Sequence, residues 1–192
     1  MRYHGRKFGA AVAVASALVA LPSSGQANLI QNGDFAGCTG TTCSPWVFVP
    51  AAQGSGFEFL LGSAVFFGTS AGNYDSLSQT ITTTPGDSYT ISFHLNVDEI
   101  TVNQGFIVDF GTSQLLNLLN NGTNGTQTFD VVASGSTTTL DFLGYNVPAN
   151  TFLTDVSVTQ DEVATPLPAA LPLFATGIGG LGLLGWRRKR KA

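Results

Sequence analysis

The chain is 192 residues long but has no lysine or arginine between Phe8 and Trp186. Its eight basic residues lie at the two ends, and all twelve acidic residues lie between them. Because nucleic-acid binding depends on Lys and Arg that release phosphate counterions, we expect the body not to bind nucleic acid. A chain of this length forms one ordinary domain with a core. The basic ends predict that both termini stay cytoplasmic while the acidic body crosses a membrane.

Histidine is scarce too, because His94 is the only one after the first few residues. The alternation of apolar and polar residues along its strand places the His94 side chain on the outward face. A serine nucleophile would need it as a base oriented by a carboxylate, and nothing in the sequence positions such a group. The adjacent acids Asp98 and Glu99 point to opposite faces of a strand, or are solvated in a loop, so they do not form a glycosidase pair. We therefore expect a protein that is not an enzyme.

Only two cysteines occur, Cys38 and Cys43. In an exported chain, which reaches an oxidising compartment, they are expected to form a disulfide that closes a small loop. A metal site or a reactive thiol are the alternatives. A metal site would need more ligands nearby, and no histidine lies close in sequence.

The first 27 residues have the organisation of a secretory signal peptide. A basic start is followed by an apolar run from Phe8 to Leu21, a proline, and small residues ending at Ala27. The run is too short to cross a bilayer as a stable anchor. We predict export and cleavage after Ala27.

Residues 28–160 read as short strands separated by Gly, Ser, Thr and Asn. In the segment SYTISFHLNV every second residue is apolar, which is typical of a strand with one buried face. NLIQNGDF is expected to be a strand, and LLNLLNN favours a strand and hairpin over a helical turn. About ten strands with polar turns predict an all-β fold, an antiparallel β-sandwich of the jelly-roll type. Alternation predicts these further inward-facing residues: Phe106, Val108, Phe110, Phe129, Val131, Leu140, Phe142, Phe152, Val156 and Val158.

Two kinds of binding residue stand out in the body. Aromatic rings beside polar side chains commonly bind sugars, and Tyr74, Tyr145 and Trp46 are the candidates, although each is alternatively a core or loop-anchoring residue. Carboxylates in turns suit calcium, and Asp34 and Asp155 are candidate ligands near the two ends of the sandwich. Both are alternatively turn residues that bond their own backbone.

The C-terminal region divides into three parts. Residues 161–166 form a short linker, and residues 167–186 carry no charge and end at Trp186. Twenty residues make a helix of about 30 Å, which matches the hydrocarbon core of a bilayer. The tail, residues 187–192, is basic and holds the C-terminus in the cytoplasm. A buried soluble helix is the alternative, but it would expose an apolar surface with no second domain to cover it.

This C-terminal region resembles the PEP-CTERM sorting signal of exported Gram-negative bacterial proteins. That signal has a Pro-x-Pro motif, one membrane span and a basic tail, with a glutamate usually between the prolines where this chain has leucine. The resemblance implies recognition by an exosortase-type membrane protease, transient residence in the inner membrane, and delivery to the cell surface or extracellular matrix. The matching residues are Pro166, Leu167, Pro168, Arg187, Arg188, Lys189, Arg190 and Lys191.

The body resembles galactose-binding-like jelly rolls of the carbohydrate-binding-module type, through NLIQNGDF, SLSQTITTTPGDSYTISF and FLTDVSVT. That resemblance implies a structural calcium between the first and last strands, at Asp34 and Asp155. The family's further acids at the positions of Ala36 and Thr154 are missing here. We expect an exported, non-catalytic surface or matrix protein associated with exopolysaccharide. The alternatives are a purely structural surface protein without a ligand, and a polysaccharide hydrolase.

Overall fold

The computed structural model describes residues 26–68 and 71–162. Nearly all of the predicted signal peptide lies outside these residues, as do most of the linker, the predicted membrane helix at 167–186 and the basic tail. Within them, no helix is long and apolar enough to span a bilayer.

The described residues form ten strands, and each strand coincides with an alternating or apolar segment of the sequence. Their bounds are β1 (Val47–Val49), β2 (Phe57–Leu60), β3 (Ser63–Phe66), β4 (Asp75–Thr82), β5 (Ser88–Val97), β6 (Gln104–Phe110), β7 (Ser113–Leu119), β8 (Gly125–Val132), β9 (Thr137–Asn146) and β10 (Thr151–Gln160).

The strands form two five-stranded sheets packed face to face. Sheet I has the order β1-β4-β9-β6-β7 and sheet II the order β2-β3-β10-β5-β8. Every pair of neighbouring strands is antiparallel. The predicted all-β sandwich of about ten strands is confirmed.

Phenylalanine rings join the two sheets in the core. Phe93 of β5 meets Phe142 of β9 edge to face with ring centroids 5.3 Å apart, and Phe66 meets Phe106 at 5.5 Å. Edge-to-face pairs contribute about 0.5–1.5 kcal/mol beyond their burial. The alternation predicted for β5 is confirmed, since all five of its apolar residues are buried: Tyr89, Ile91, Phe93, Leu95 and Val97.

Strand β10 departs from the predicted alternation. A bulge between Thr154 and Ser157 shifts its register, and Asp155 within it has a φ of 53°. The extra residue changes which face each side chain takes, so Leu153 shares the inner face with Val156 and Val158. The prediction that Phe152 faces inward was wrong: Phe152 is half-buried on the outer face.

The segment NLIQNGDF is irregular rather than a strand, so that prediction was wrong. It is nevertheless fixed to β10, because Leu29 N donates to Val158 O at 2.8 Å and Val156 N donates to Gly33 O at 2.9 Å. LLNLLNN lies largely in β7, and its prediction as strand and hairpin is confirmed.

Cys38 and Cys43 form the predicted disulfide. The Nδ2 of Asn32 lies 3.2 Å from both sulfur atoms, and the Asn32 carbonyl accepts a bond of 3.0 Å from Trp46 Nε1. The disulfide loop is thereby attached to the irregular first segment and, through Trp46, to the core.

Candidate functional site

The face of sheet I that points away from the core carries two rows of side chains running across all five strands. Residues directly opposite on neighbouring strands share a face, so the pairing register defines each row. The first row, called the acidic row, is Val47, Ser78, Asp141, Asp109 and Gln114. The second, called the aliphatic row, is Val49, Ser76, Leu143, Ile107 and Asn117.

Two carboxylates lie at the centre of the acidic row. Asp109 of β6 and Asp141 of β9 are direct cross-strand partners, and Ser76 Oγ donates to Asp141 Oδ1 at 2.7 Å. Partial burial raises the pKa of Asp141, and the neighbouring Asp109 raises it further, while the bond from Ser76 lowers it. The sequence has no Lys or Arg between residues 8 and 186 to neutralise the pair. These oxygens are therefore acceptors suited to hydroxyl or amine donors from a ligand.

Two of the predicted aromatic residues come together beside the aliphatic row. The rings of Tyr74 and Tyr145 meet edge to face with centroids 4.8 Å apart. Tyr145 lies opposite Gly105, where a Cβ would sit 2.5 Å from Tyr74 Oη and 2.6 Å from Tyr145 Cε1. Only glycine at position 105 therefore leaves room for the two tyrosine rings. Tyr145 is buried, and Tyr74 keeps part of its surface exposed.

The environment of Tyr74 also perturbs its hydroxyl. Burial raises the pKa of Tyr74, and its charge interaction and hydrogen bond with Tyr145 raise it further. The Tyr74 hydroxyl stays protonated at neutral pH and is a donor as well as an acceptor. Together, the rings, the aliphatic row and the acidic row place apolar surface next to hydrogen-bonding groups on one face.

Trp46 is not part of this face. Its side chain is only 6% exposed and packs against Phe35 and Phe142, with centroids at 5.3 and 6.2 Å. Of the two roles considered for Trp46, the core role fits the structure. Its ring offers no surface to a ligand.

His94 lies on the outer face of sheet II, as alternation predicted. Its register partners are Thr154 and Thr126, and its Nδ1 is 3.5 Å from Thr126 Oγ1. Neither partner is a carboxylate that could orient the ring as a catalytic base.

Asp34 and Asp155 line a common cleft of about 360 Å³, together with Asn28, Asn32 and Ser157. Calcium takes six to eight oxygen ligands. Asn28 Oδ1 already accepts bonds from Ile30 N and Val158 N. In residues 26–68 and 71–162 no three His, Cys, Asp or Glu side chains are grouped to hold a metal. The cleft supplies two carboxylates, so water molecules or backbone carbonyl oxygens would provide most of the ligands of a calcium ion. Calcium here stays a prediction.

No family model matches the chain, and no curated protein matches it. Among solved structures, the carbohydrate-binding module TmCBM61, in complex with β-1,4-galactotriose, superposes with a TM-score of 0.51 and 10% identity. That match covers 70% of this chain and 99% of TmCBM61. The body therefore has a β-sandwich fold similar to that of TmCBM61.

Two further structures show similar superpositions. The enzymatically active domain of tailspike protein 4 from bacteriophage CBA120 has a TM-score of 0.50 and 13% identity, over 70% of this chain and 21% of the tailspike chain. A CBM4 structure has a TM-score of 0.49 and 19% identity, over 69% of this chain and 99% of the CBM4 chain. At these identities the similarity extends to the fold alone.

Proposed function

We propose that this chain is an exported, non-catalytic protein that binds polysaccharide at the bacterial surface or in the extracellular matrix. The observation that supports it most directly is the outer face of sheet I, where Tyr74 lies beside the aliphatic row and the acidic row lies on the other side of that row. The fold adds support, since TmCBM61 was solved with a bound galactotriose.

The proposed contacts follow from the chemistry of a sugar ring. Its C–H face packs against the exposed part of Tyr74 and against Leu143 and Ile107, removing apolar surface from water. Its hydroxyls donate to Asp109 and Asp141, and hydrogen bonds to an ionised acceptor are stronger than neutral ones.

The alternative of a polysaccharide hydrolase gains one observation from the structure, the paired carboxylates of Asp109 and Asp141. Glycosidases place two carboxyl groups on either side of the bond that they cleave. Asp109 and Asp141 project from the same face of one sheet, so both approach a bound sugar from the same side. This arrangement favours binding over cleavage.

A pull-down of the intact exported chain with host exopolysaccharide and with β-1,4-galactan tests the proposal. Retention without shortening of the polysaccharide is expected. No retention on any polysaccharide would favour the purely structural alternative. Shortened chains, with activity lost in Asp141→Asn or His94→Ala, would establish a hydrolase.

We also propose that the C-terminal region sorts the protein through a PEP-CTERM-like signal and an exosortase-type protease. Its support is the Pro166-Leu167-Pro168 motif, the uncharged segment and the basic tail. Fractionation of native-host cells with tags after Ala27 and at the C-terminus tests it. Separation of the body from a membrane-held C-terminal fragment is expected. One intact membrane species would indicate a permanent anchor, and an intact soluble chain would contradict the membrane span.

A further inference from the structure

Asparagine is followed directly by glycine at three places in the body, namely at Asn32, Asn121 and Asn124. Because glycine has no Cβ, its backbone nitrogen can approach the side chain of the preceding residue more freely than that of any other residue. A nitrogen that reaches the amide carbon of an asparagine side chain can displace ammonia from it. The fold holds the three asparagines to different degrees, and this decides which of them can react.

Asn32 is held through both its side chain and its backbone. Its Nδ2 lies 3.2 Å from the sulfur atoms of Cys38 and Cys43. The next residue, Gly33, is buried, and its carbonyl accepts a hydrogen bond of 2.9 Å from Val156 N. A Cβ on Gly33 would collide with Val156 O, so the backbone of this dipeptide is packed directly against β10. Attack at Asn32 therefore requires the first segment to separate from β10.

Asn124 is exposed, but its side chain is anchored to the neighbouring strand. Its Oδ1 accepts a hydrogen bond of 2.7 Å from Val97 N at the end of β5. Gly125, the residue that follows, is already part of β8 and lies opposite Leu95. Rotation of the Asn124 side chain toward the Gly125 nitrogen breaks the bond to Val97. Loss of one such hydrogen bond lowers the population of the reactive geometry by about tenfold.

Asn121 has no such restraint. It lies in the connection between β7 and β8, and its side chain is exposed. Within residues 26–68 and 71–162, no hydrogen bond holds the Asn121 side chain or the Gly122 nitrogen. The side chain and the nitrogen beside it are thus free to take the geometry that attack requires.

We propose that Asn121 is a modification site, at which the folded chain deamidates without an enzyme. The Gly122 nitrogen gives its proton to a base in solution and attacks Asn121 Cγ. The bond from Cγ to Nδ2 then breaks, ammonia leaves, and a cyclic succinimide remains. Water opens this ring to give aspartate or isoaspartate. One water molecule is consumed and one ammonia molecule is released, with no oxidation or reduction.

The product changes both the charge and the backbone of the β7–β8 connection. No charged residue stands between Asp109 and Asp130, so deamidation places the first carboxylate in this interval. Isoaspartate also adds one carbon to the backbone, next to the bond that Asn120 N donates to Gln104 O. Because the reaction proceeds with time alone, it marks each copy of an exported chain by its age.

Incubation of the intact chain at neutral pH, followed by peptide mass spectrometry, tests this proposal. Folded chain and chain unfolded in urea with a reductant are sampled in parallel. The unfolded chain is the reference, because the three asparagines have lost their restraints in it and should react at similar rates. In the folded chain, Asn121 should react at close to its unfolded rate, Asn124 about tenfold more slowly and Asn32 more slowly still.

Two glutamine variants connect the product to its position. Glutamine keeps the amide but adds a methylene group, so that attack would have to close a larger ring. Asn121→Gln should remove most of the acidic form that ion-exchange chromatography separates from the aged folded chain, and the matched Asn124→Gln should leave most of it. Circular dichroism verifies the fold of each variant. Equal rates at Asn121 and at either other asparagine in the folded chain, or an unmodified Asn121 once the unfolded chain has reacted, would overturn the proposal.

Discussion

Asp109 and Asp141 lie directly opposite each other on β6 and β9, on the outer face of sheet I. Like charges in direct cross-strand positions destabilise a sheet. The hydrogen bond from Ser76 to Asp141 offsets part of this cost, and no Lys or Arg is present in the body to offset the rest. A surface that keeps an unfavourable pair at its centre is a candidate for function.

The first prediction concerns the pH dependence of stability. The pKa of Asp141 is raised above its ordinary value of 3.8 in the folded protein. Its contribution to stability is therefore present below that ordinary value and is lost as the pH rises through the folded value. Asp141→Asn can still accept the bond from Ser76, so the variant should be more stable than the native chain at neutral pH. The difference should shrink as the pH falls.

Urea unfolding at a series of pH values measures this effect. Asp130→Asn on the opposite sheet is the control, because it removes one charge from the same acidic body. An Asp141→Asn variant that is less stable than the native chain at neutral pH would contradict the prediction.

The second prediction concerns Gly105. Gly105→Ala places a methyl group against the rings of Tyr74 and Tyr145, which must shift to accommodate it. Overpacking of this kind costs about 1–3 kcal/mol of unfolding free energy. Gly135→Ala is a milder control, since its added methyl group meets no ring and its nearest atom is Thr137 O at 3.2 Å, a contact that a shift of a few tenths of an ångström relieves. Equal unfolding midpoints for the two variants would show that the rings move freely.

The third prediction concerns the buried carboxylate of Asp75. The Asp75 side chain is fully buried, and its carboxylate accepts hydrogen bonds from Ala51 N at 2.8 Å, Ser55 Oγ at 2.6 Å and Gly56 N at 2.8 Å. Asp75→Asn replaces one carboxylate oxygen, an acceptor, with an amide NH₂ group, a donor that then faces the N–H and O–H donors around it. A loss of at least about 2 kcal/mol in unfolding free energy is expected. The exposed Asp130→Asn should change little in the same denaturant titration, and a similar small change at Asp75 would refute this role.

The fourth prediction concerns calcium at Asp34 and Asp155. If the ion binds only the folded chain, millimolar calcium should raise the melting temperature through mass action. Asp155→Asn should abolish the rise, and asparagine tolerates the positive φ of this position. The control variant Asp130→Asn should show the same calcium-dependent rise in melting temperature as the native chain. Identical melting curves in calcium and in excess chelator would exclude the site.

Alternation along each strand was enough to predict most of the core. β5 shows why: ten residues with strict alternation bury every second side chain on the inner face. The same argument failed for Phe152 because the bulge at Asp155 adds one residue to β10, and a period of two has no means of anticipating it.

The candidate site was harder to predict. Asp109 and Asp141 each stand between two residues that were predicted to face inward, which implies an outward position, but neither was among the predicted site residues. Asp109 and Asp141 are paired by the register of β6 against β9. These two strands lie far apart in sequence, and packing of the whole sheet sets their register. For a related reason the sequence left both roles of Trp46 open, since its burial depends partly on packing against Phe142 from β9.

If the outer face of sheet I binds polysaccharide, changes to that face should lower the affinity of the protein for the host's extracellular polysaccharide. Tyr74→Ala removes the exposed ring from this face, and His94→Ala changes a half-buried ring on the opposite sheet. Loss of the apolar contact of one ring is expected to weaken binding about tenfold or more. We predict that Tyr74→Ala shows this loss while His94→Ala binds like the native chain. Undiminished binding by a correctly folded Tyr74→Ala variant, or a loss only in His94→Ala, would show that polysaccharide does not bind at this face.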